Sequence, residues 1–172
     1  MAIETGACTI PLSSGNSVLV DQEDYEYFSQ WKWKENHGTA MRNKHVGTVG
    51  DWRKGKRKDI AVLMHREIMN APKGMDVDHI NGDRLDNRRS NLRICTHAEN
   101  RRNTKKPISN KSGYKGVSWC KRDSKWVTFI TVNGKSRNLG RYINIIDAAK
   151  AYNDAAIKYF GEFAKVNEGV QS

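Results

Sequence analysis

The chain of 172 residues has few cysteines and prolines, three of each, and no long apolar segment. The cysteines at positions 8, 95 and 120 form no Cys-x-x-Cys pair, which excludes a disulfide framework and a four-cysteine zinc site. No apolar run approaches the roughly 20 residues that span a bilayer, and the N-terminal residues lack the regions typical of a secretory signal. We therefore expect no membrane partner, no structural zinc and a cytoplasmic location.

Positive charge is unevenly distributed. Lys and Arg number 30 against 19 Asp and Glu, giving a formal net charge of +11. Residues 1–60 carry nine basic and eight acidic residues, residues 61–111 carry eleven and six, and residues 112–172 carry ten and five. A basic excess in the last two-thirds is typical of a nucleic-acid-binding protein. A basic protein without a polyanionic partner is the alternative at this point.

The first sixty residues predict a β-rich region in which no residue pattern suggests a catalytic function. Hydrophobic alternation indicates strands at residues 18–20, 31–34 and 39–44. Asp21, with Asp24 three residues later, is typical of the N-cap of a helix that runs through Phe28. Residues 50–59, GDWRKGKRKD, indicate an exposed basic loop.

Residues 112–172 predict a three-stranded antiparallel sheet packed on one helix. Val127–Val132 alternates as a strand, Asn133-Gly134 favours a two-residue hairpin turn, and Lys135–Leu139 is the return strand. Asn144 is typical of an N-cap, and Gly161 of the residue that ends the helix. One face of this helix, assigned to the core, carries Ala148, Tyr152, Ala155 and Tyr159.

The densest polar cluster is residues 75–100, MDVDHINGDRLDNRRSNLRICTHAEN. Val77–Ile80 and Leu92–Cys95 predict two strands, and Thr96 with Glu99 forms a capping box that starts a helix. Around one small cavity, this arrangement would place the side chains of Asp78, His79 and Asn100.

Those three side chains suffice for phosphodiester hydrolysis. The carboxylate of Asp78 and the amide oxygen of Asn100 are hard ligands suited to Mg²⁺ or Mn²⁺, with waters and a substrate phosphate completing the shell. A neutral His79 can take a proton from water near pH 7. The alternative is an ordinary loop in which these residues cap turns. Because neighbouring strand residues face opposite sides, the strand must end or bulge at Asp78-His79, or the two side chains reach the phosphate from different sides.

The segments DHINGDRLDNRRSNLR and AEN resemble the HNH nuclease motif of phage and intron homing endonucleases. The resemblance implies two antiparallel strands and a helix around one metal ion, the ββα-metal fold. It implies that Asp78 is the first metal ligand, His79 the general base, and Asn91 the residue that orients the histidine or its loop. Asn100 holds the place of the final histidine, a variant found in nicking homing enzymes that argues against Zn²⁺. The upstream Met64-His65-Arg66 resembles the family's lead-in helix, with a core or phosphate-contacting role for both His65 and Arg66.

Residues 112–167 are similar to the plant ethylene-response-factor (Apetala-type) DNA-binding domain, through SGYKGVSW, KWVTFITVNGKSRNLGRY and DAAKAYNDAAIKYFGEFAKVN. In that family the sheet lies in the major groove. The resemblance implies that Trp126, Thr128 and Ile130 face the helix, and that Val127, Phe129 and Thr131 face DNA. Several arginines and tryptophans of the family are absent, so its sequence preference is not transferred. The family's contact positions, with two neighbouring arginines, fall on Lys115, Ser118, Cys120, Thr131, Ser136, Asn138, Arg122 and Arg137.

The sequence thus predicts an α+β protein in four parts. These are a β-rich subdomain at residues 1–60, a ββα-metal nuclease core at 61–104, a basic linker at 105–111 and a DNA-binding domain at 112–172. The linker could instead be a surface loop within one domain. Further contacts with DNA are expected from Arg66, Arg93, Arg101, Arg102, Lys105 and Lys106.

The predicted function is that of a site-selective, homing-type DNA endonuclease in a bacterial or phage-infected cell. One active site per chain would nick duplex DNA using one divalent metal ion, Mg²⁺ or Mn²⁺, and no organic cofactor. The protein would act as a monomer or a weak dimer. The alternative is a non-catalytic DNA-binding regulator with a degenerate HNH fold, because asparagine replaces the final histidine.

Overall fold

The computed structural model describes residues 6–49, 56–103 and 110–170. The chain divides into two compact units, Met1–Thr96 and His97–Ser172. Among the described residues, no helix is both long and apolar enough to cross a membrane. Helices and strands occur in both units, in agreement with the predicted α+β class.

The described part of the first unit contains three small antiparallel sheets and two short helices. Its elements are β1 (Ala7–Pro11), β2 (Ser17–Asp21), α1 (Gln22–Phe28), β3 (Lys34–Asn36), β4 (Thr39–Val49), β5 (Lys56–Leu63), α2 (Met64–Ile68), β6 (Asp76–His79) and β7 (Leu92–Cys95). β1 pairs with β2, β4 lies between β3 and β5, and β6 pairs with β7. The predicted strand at residues 18–20 and the lead-in helix are therefore confirmed.

One hydrophobic core joins the first hairpin to the strands of the polar cluster. It contains Ile10 from β1, Trp33, Met64 from α2 and Leu92 from β7. The indole N–H of Trp33 donates to the carbonyl oxygen of Phe28 at 2.8 Å, so the polar atom of this buried ring is satisfied. Because each large apolar side chain contributes roughly 1.5–3 kcal/mol on burial, this shared core holds β1, α2 and β7 together.

Two predictions for the first sixty residues are wrong in part. The strand expected at residues 31–34 begins only at Lys34, because Trp33 is buried in the core and forms an isolated bridge with Leu12. Residues 56–59, expected in a basic loop, belong to β5 and pair with β4. Their side chains are polar and show no hydrophobic alternation, but pairing with β4 holds them in a strand. The other part of that loop, residues 50–55, lies outside the described residues.

Helix α1 begins after Asp21 as predicted, but the Asp21 side chain does not cap it. Its Oδ2 atom instead accepts a hydrogen bond from the backbone N–H of Arg89 at 2.7 Å. The carboxylate of Asp24 accepts two hydrogen bonds, at 2.9 and 2.7 Å, from the Arg89 guanidinium. Such bidentate pairs are the stronger ion pairs of proteins. They attach the segment before β7 to the start of α1.

The second unit contains the sheet and helix that the C-terminal sequence predicts. Its elements are α3 (His97–Asn100), β8 (Val117–Cys120), β9 (Lys125–Val132), β10 (Lys135–Tyr142) and α4 (Ile145–Phe160). The antiparallel sheet has the order β10-β9-β8. Asn133 and Gly134 have φ of 50° and 76°, as the predicted hairpin turn requires. Asn144 Oδ1 accepts a hydrogen bond from the Ile146 N–H at 2.8 Å, which confirms the N-cap.

Helix α4 packs against the sheet through small residues. Ala148 is fully buried, and Tyr152 packs with Ile130 of β9. Tyr159 was expected in the same core stripe, but it is 37% exposed. It lies outside the core, where the guanidinium of Arg137 stands 5.3 Å from its ring centroid.

The division of the chain into compact units falls between Thr96 and His97, so α3 belongs to the second unit. Residues 104–109 are outside the described part of the chain, and they include most of the predicted linker at 105–111. The predicted boundary at residue 60 falls inside β5. The four-part division of the chain stays a prediction.

Candidate active site

Strand β6 carries the candidate metal ligand Asp78 and the candidate general base His79 at consecutive positions. Its register with β7 pairs Asp78 with Arg93 and His79 with Leu92. β6 ends at His79, where the Gly82 N–H donates to the His79 carbonyl oxygen at 2.8 Å. Both residues are paired within the strand without a bulge, so their side chains lie on opposite faces of the strand pair, which is the second of the two expected arrangements. Asp78 and His79 are 5% and 7% exposed, so both polar groups are largely withdrawn from water.

The carboxylate of Asp78 forms an ion pair with Arg93. Asp78 Oδ2 accepts from Arg93 Nε at 2.9 Å and from Nη2 at 2.6 Å. Both side chains are largely buried, so the pair is screened less by solvent than a surface pair. Arg93, expected to contact DNA, thus compensates the charge of the candidate metal ligand.

The imidazole of His79 is held by Asn87. His79 Nε2 lies 2.9 Å from Asn87 Oδ1, and Asn87 is 0% exposed. Because an amide oxygen only accepts hydrogen bonds, Nε2 carries the proton and Nδ1 is the basic nitrogen of the neutral ring. Burial lowers the pKa of His79 below its usual value, and the Asn87 hydrogen bond and the Asp78 charge oppose that shift. The ring is therefore neutral at pH 7, as a general base must be.

Asn87 is the residue that sequence reasoning missed. It lies in the loop between β6 and β7, where several asparagines and aspartates look alike. Its backbone N–H donates to the Leu19 carbonyl oxygen at 2.7 Å, and the Leu19 N–H donates to Leu85. These contacts with β2 carry Asn87 into the interior. Only contacts across about seventy residues of chain distinguish it from its neighbours.

Asn91 braces the loop rather than the ring. Its Oδ1 accepts from the Asn81 N–H at 3.0 Å, and its Nδ2 donates to the Asp86 carbonyl oxygen at 2.8 Å. The Asn91 carbonyl oxygen also accepts from the Ile80 N–H. These bonds connect the two ends of the loop that follows His79. Of the two roles that the motif implies for Asn91, the contacts are those of the loop-orienting one.

His65 of α2 packs against His79. Their ring centroids are 5.0 Å apart and the rings meet at 68°. Burial, followed by the charges of His79 and nearby arginines, lowers the pKa of His65 to about 4. Its Nδ1 atom is buried and has no hydrogen-bond partner among the described residues. His65 is therefore a neutral side chain that covers one side of the catalytic ring, as expected for a core histidine.

Arg66 stabilises the turn between α2 and β6. Its guanidinium donates to the carbonyl oxygens of Met75 at 2.5 Å and Pro72 at 3.1 Å. An arginine with several backbone acceptors is a structural clamp. Of the two roles expected for Arg66, these contacts support packing.

Comparisons with known proteins concern this same segment. A family model described as HNH endonuclease matches residues 70–102, which include β6, β7 and α3. "Protein 3.8" of Escherichia phage T7 is 36% identical over 94 residues, covering 55% of this chain and 77% of that protein. The chain belongs to the HNH endonuclease family. "Uncharacterized HNH endonuclease L560" of Acanthamoeba polyphaga mimivirus is 34% identical over 97 residues, 56% of this chain and 49% of that protein. A search of solved structures finds no match.

The donor set of this HNH protein suits a hydrated hard cation. Within the described ranges, no group of three or more His, Cys, Asp and Glu side chains could hold a metal ion. Asp78 is the buried carboxylate beside His79, and Asn100 is the last residue of α3 in the second unit. One carboxylate is enough for Mg²⁺, which keeps several waters and uses substrate phosphate oxygens as further ligands. HNH nucleases generally use a divalent metal ion, and the oxygen donors of Asp78 and Asn100 are of the type that such an ion prefers.

Five expected DNA contacts of this HNH protein share the sheet face opposite α4. The register pairs Thr131 with Ser136, Phe129 with Asn138, and Val127 with Ser118. Cys120 follows two residues after Ser118 and is partly exposed. Of these, Ser118, Thr131, Ser136 and Asn138 have exposed side chains, and Phe129, which was expected to face DNA, is also exposed on this face. Val127, expected to face DNA, is buried instead.

Three other expected contacts have protein partners. Arg137 lies opposite Ile130, on the helix side of the sheet. Arg122 forms an ion pair with Asp123 at 3.0 Å. Lys115 Nζ donates to the Arg102 carbonyl oxygen at 2.8 Å, and burial lowers the pKa of Lys115 to about 8.

The remaining basic candidates lie in the chain segment between β7 and β8. Arg102 stacks its guanidinium 5.1 Å from the centroid of the Phe160 ring, and Arg101 precedes it with an exposed side chain. Lys105 and Lys106 lie outside the described residues.

Proposed function

We propose that this chain is a metal-dependent DNA endonuclease of the homing type, with His79 as its general base. The observation that carries the proposal is a buried, neutral histidine whose Nε2–H is held by Asn87 and which directly follows the buried Asp78 in β6. A histidine whose basic nitrogen is defined in this way is prepared to remove a proton from water. Duplex DNA is the substrate that the family implies.

The residues divide the reaction among them. His79 Nδ1 takes the proton of the attacking water, while Asn87 keeps Nε2 protonated and the ring in one orientation. Asp78 would hold the divalent ion, with Asn100 as the second ligand that the motif implies. The ion would polarise the phosphate and stabilise the leaving 3′ oxygen. Asn91 maintains the loop that carries Asn87.

The ion pair between Asp78 and Arg93 bears on metal binding. A buried carboxylate needs a compensating positive charge, which Arg93 supplies in the protein alone. With a cation at Asp78, Arg93 would no longer be needed for that compensation and could pair with the negative phosphate of the substrate, in line with its expected contact with DNA.

We assign the choice of the DNA target site to the C-terminal sheet. Its face opposite α4 presents small polar side chains, among them Thr131 and Ser136, on a surface that can approach base edges in the major groove. Each chain has one candidate site around His79, so one chain cuts one strand. A double-strand break requires two chains or two successive events.

A plasmid-nicking assay tests the proposal. Purified protein with Mg²⁺ or Mn²⁺ should convert supercoiled plasmid into open circles, and EDTA should stop the conversion. His79→Ala should lower the rate about 10²- to 10⁴-fold, because a general base contributes that much. The matched control is His37→Asn, which removes an exposed imidazole from a turn at φ 50° that asparagine tolerates. If wild-type protein binds duplex DNA but never cuts it, the non-catalytic regulator is the correct alternative.

A further inference from the structure

The hairpin of β4 and β5 extends beyond the core of the first unit. Its pairs run from Met41 opposite Leu63 to Val49 opposite Lys56. Met41 is buried, but from Asn43 onward nearly every side chain is exposed on both faces of the hairpin. We call residues 43–49 and 56–61 the ribbon. With both faces exposed, the ribbon adds little to the hydrophobic core.

Such an extension is unusual for a strand pair. β4 has 11 residues and β5 has 8, against a typical strand length of about 5–6 residues. A two-stranded hairpin without a buried face is only marginally stable in water. The length of the ribbon therefore indicates a role outside the protein core.

The charges of the ribbon are sorted by face. Because alternate residues of a strand share a face, Lys56 and Lys58 lie on the same side of β5 as Ile60. Ile60 is paired with Lys44 of β4, which adds a third lysine to that side. We call this side the lysine face. The single acidic residue of the ribbon, Asp59, lies on the opposite side.

Asp59 is compensated within its own face. Its Oδ1 lies 2.7 Å from Arg57 Nε and 3.1 Å from His45 Nδ1. The hydrogen bond from Arg57 is the main reason that the pKa of Asp59 is lowered, so this carboxylate is charged at neutral pH. The lysine face keeps its positive charge without an acidic residue of the ribbon beside it.

The spacing of the lysines suits a polyanion. Two residues of a strand advance about 6.8 Å, so Lys56, Lys58 and the position of Lys44 form a row with that repeat. Charges on one DNA strand follow every 3.4 Å along the helix axis, so the repeat corresponds to about two phosphates. A two-stranded ribbon also has a width that the major groove admits.

We infer that the lysine face of the ribbon is a second DNA-contacting surface, which binds phosphates of the duplex beside the cutting site. The inference rests on the proposed function, because it takes duplex DNA as the substrate. It gives the N-terminal region, which carries none of the HNH motif, a role in affinity. Phosphate contacts position a protein on DNA without reading its sequence, so this role differs from that of the C-terminal sheet.

The experiment measures how DNA affinity depends on salt, with the full chain and a fluorescein-labelled 30-base-pair duplex in EDTA. The test variant is Lys44→Gln/Lys56→Gln/Lys58→Gln. The control is Lys32→Gln/Lys34→Gln/Lys73→Gln, which removes the same charge from exposed positions of the same unit. Each lost phosphate contact lowers the slope of log K against log salt by about 0.9. For the test variant, the slope of log K against log salt should be smaller in magnitude by about 2.7, and the affinity at 0.1 M salt should fall roughly 10²- to 10³-fold.

The inference is overturned if the two triple variants change the slope equally, or if the test variant keeps the wild-type slope. Circular dichroism should show both variants folded, since the replaced side chains are exposed. Should the triple test variant unfold, Lys58→Glu alone must still weaken binding at low salt, and wild-type affinity in that variant refutes the inference. Plasmid nicking by the wild-type protein is scored separately. Cutting with an unchanged salt slope rejects the ribbon alone, whereas no cutting and no binding reject the proposed function.

Discussion

His65 should make the first unit less stable in mild acid. Burial lowers the pKa of this histidine to about 4, whereas a histidine in the unfolded chain titrates near 6.5. Between these values the unfolded chain binds the proton and the folded chain does not. Protons therefore favour unfolding, and stability falls as the pH drops from about 6.5 to about 4.

The size of the effect follows from the two pKa values. Lowering the pH from 7 to 5 should cost about 2 kcal/mol through His65, and the full shift is worth about 3 kcal/mol. The contact with His79 acts in the same direction, because a charge on either buried ring raises the cost of charging the other. His65 thus links the packing of α2 to the pH range in which the site stays formed.

Urea unfolding at a series of pH values measures this effect. His65→Leu removes the titrating group but keeps an apolar side chain in the buried position, so its free energy of unfolding should fall less between pH 7 and pH 5 than that of the wild type. The difference should be about 2 kcal/mol. His37→Asn, at an exposed position, should follow the wild-type curve. If His65→Leu loses as much stability as the wild type over this range, His65 is protonated in the folded protein and the reasoning is refuted.

Three further predictions concern single side chains. Gly116→Ala should lower the melting temperature of the second unit. Gly116 has a φ of 77°, and a Cβ added there would overlap the Tyr152 ring and lie 2.7 Å from the Phe129 carbonyl oxygen. Unchanged thermal unfolding would contradict this prediction. The combined strain should cost roughly 2–5 kcal/mol. Asn87→Leu should lower the nicking rate about 10- to 100-fold with little change in DNA affinity, as measured by single-turnover kinetics and anisotropy. Arg93→Ala should strengthen Mn²⁺ binding in calorimetry about tenfold by removing a competing cation, and Asp78→Ala should abolish it. Weaker Mn²⁺ binding by the arginine variant would mean that the ion pair assists the metal.

Local signals predicted the C-terminal elements well. The Asn133-Gly134 turn and the Asn144 cap depend on backbone conformations that few residues favour, so their positions are visible in sequence. The strand that carries Asp78 and His79 and the strand that pairs with it could likewise be located, because apolar residues flank a recognisable polar motif. The prediction that Tyr159 lies in the core was wrong, because helical spacing alone does not show where the sheet beneath a helix ends.

Long-range contacts account for most of what the sequence did not reveal. Asn87 resembles its neighbours until the bonds with Leu19 bring it inside. Asp21 has the sequence position of a helix cap, yet Arg89 takes its carboxylate. Residues 56–59 of the ribbon were interpreted as part of a loop, because hydrophobic alternation reports burial and a strand exposed on both faces has none.

The shared core of the first unit has a consequence for synthesis of the protein. Ile10 and Trp33 leave the ribosome well before Leu92, which is separated from Trp33 by 59 positions. At about 5–20 residues per second, the early hairpin waits roughly 3–12 s for β7. The catalytic strand pair is thus the last part of this unit to be added to a scaffold that is already present. A nascent chain interrupted before residue 92 has most of that scaffold and lacks β7, the strand that pairs with the one carrying His79.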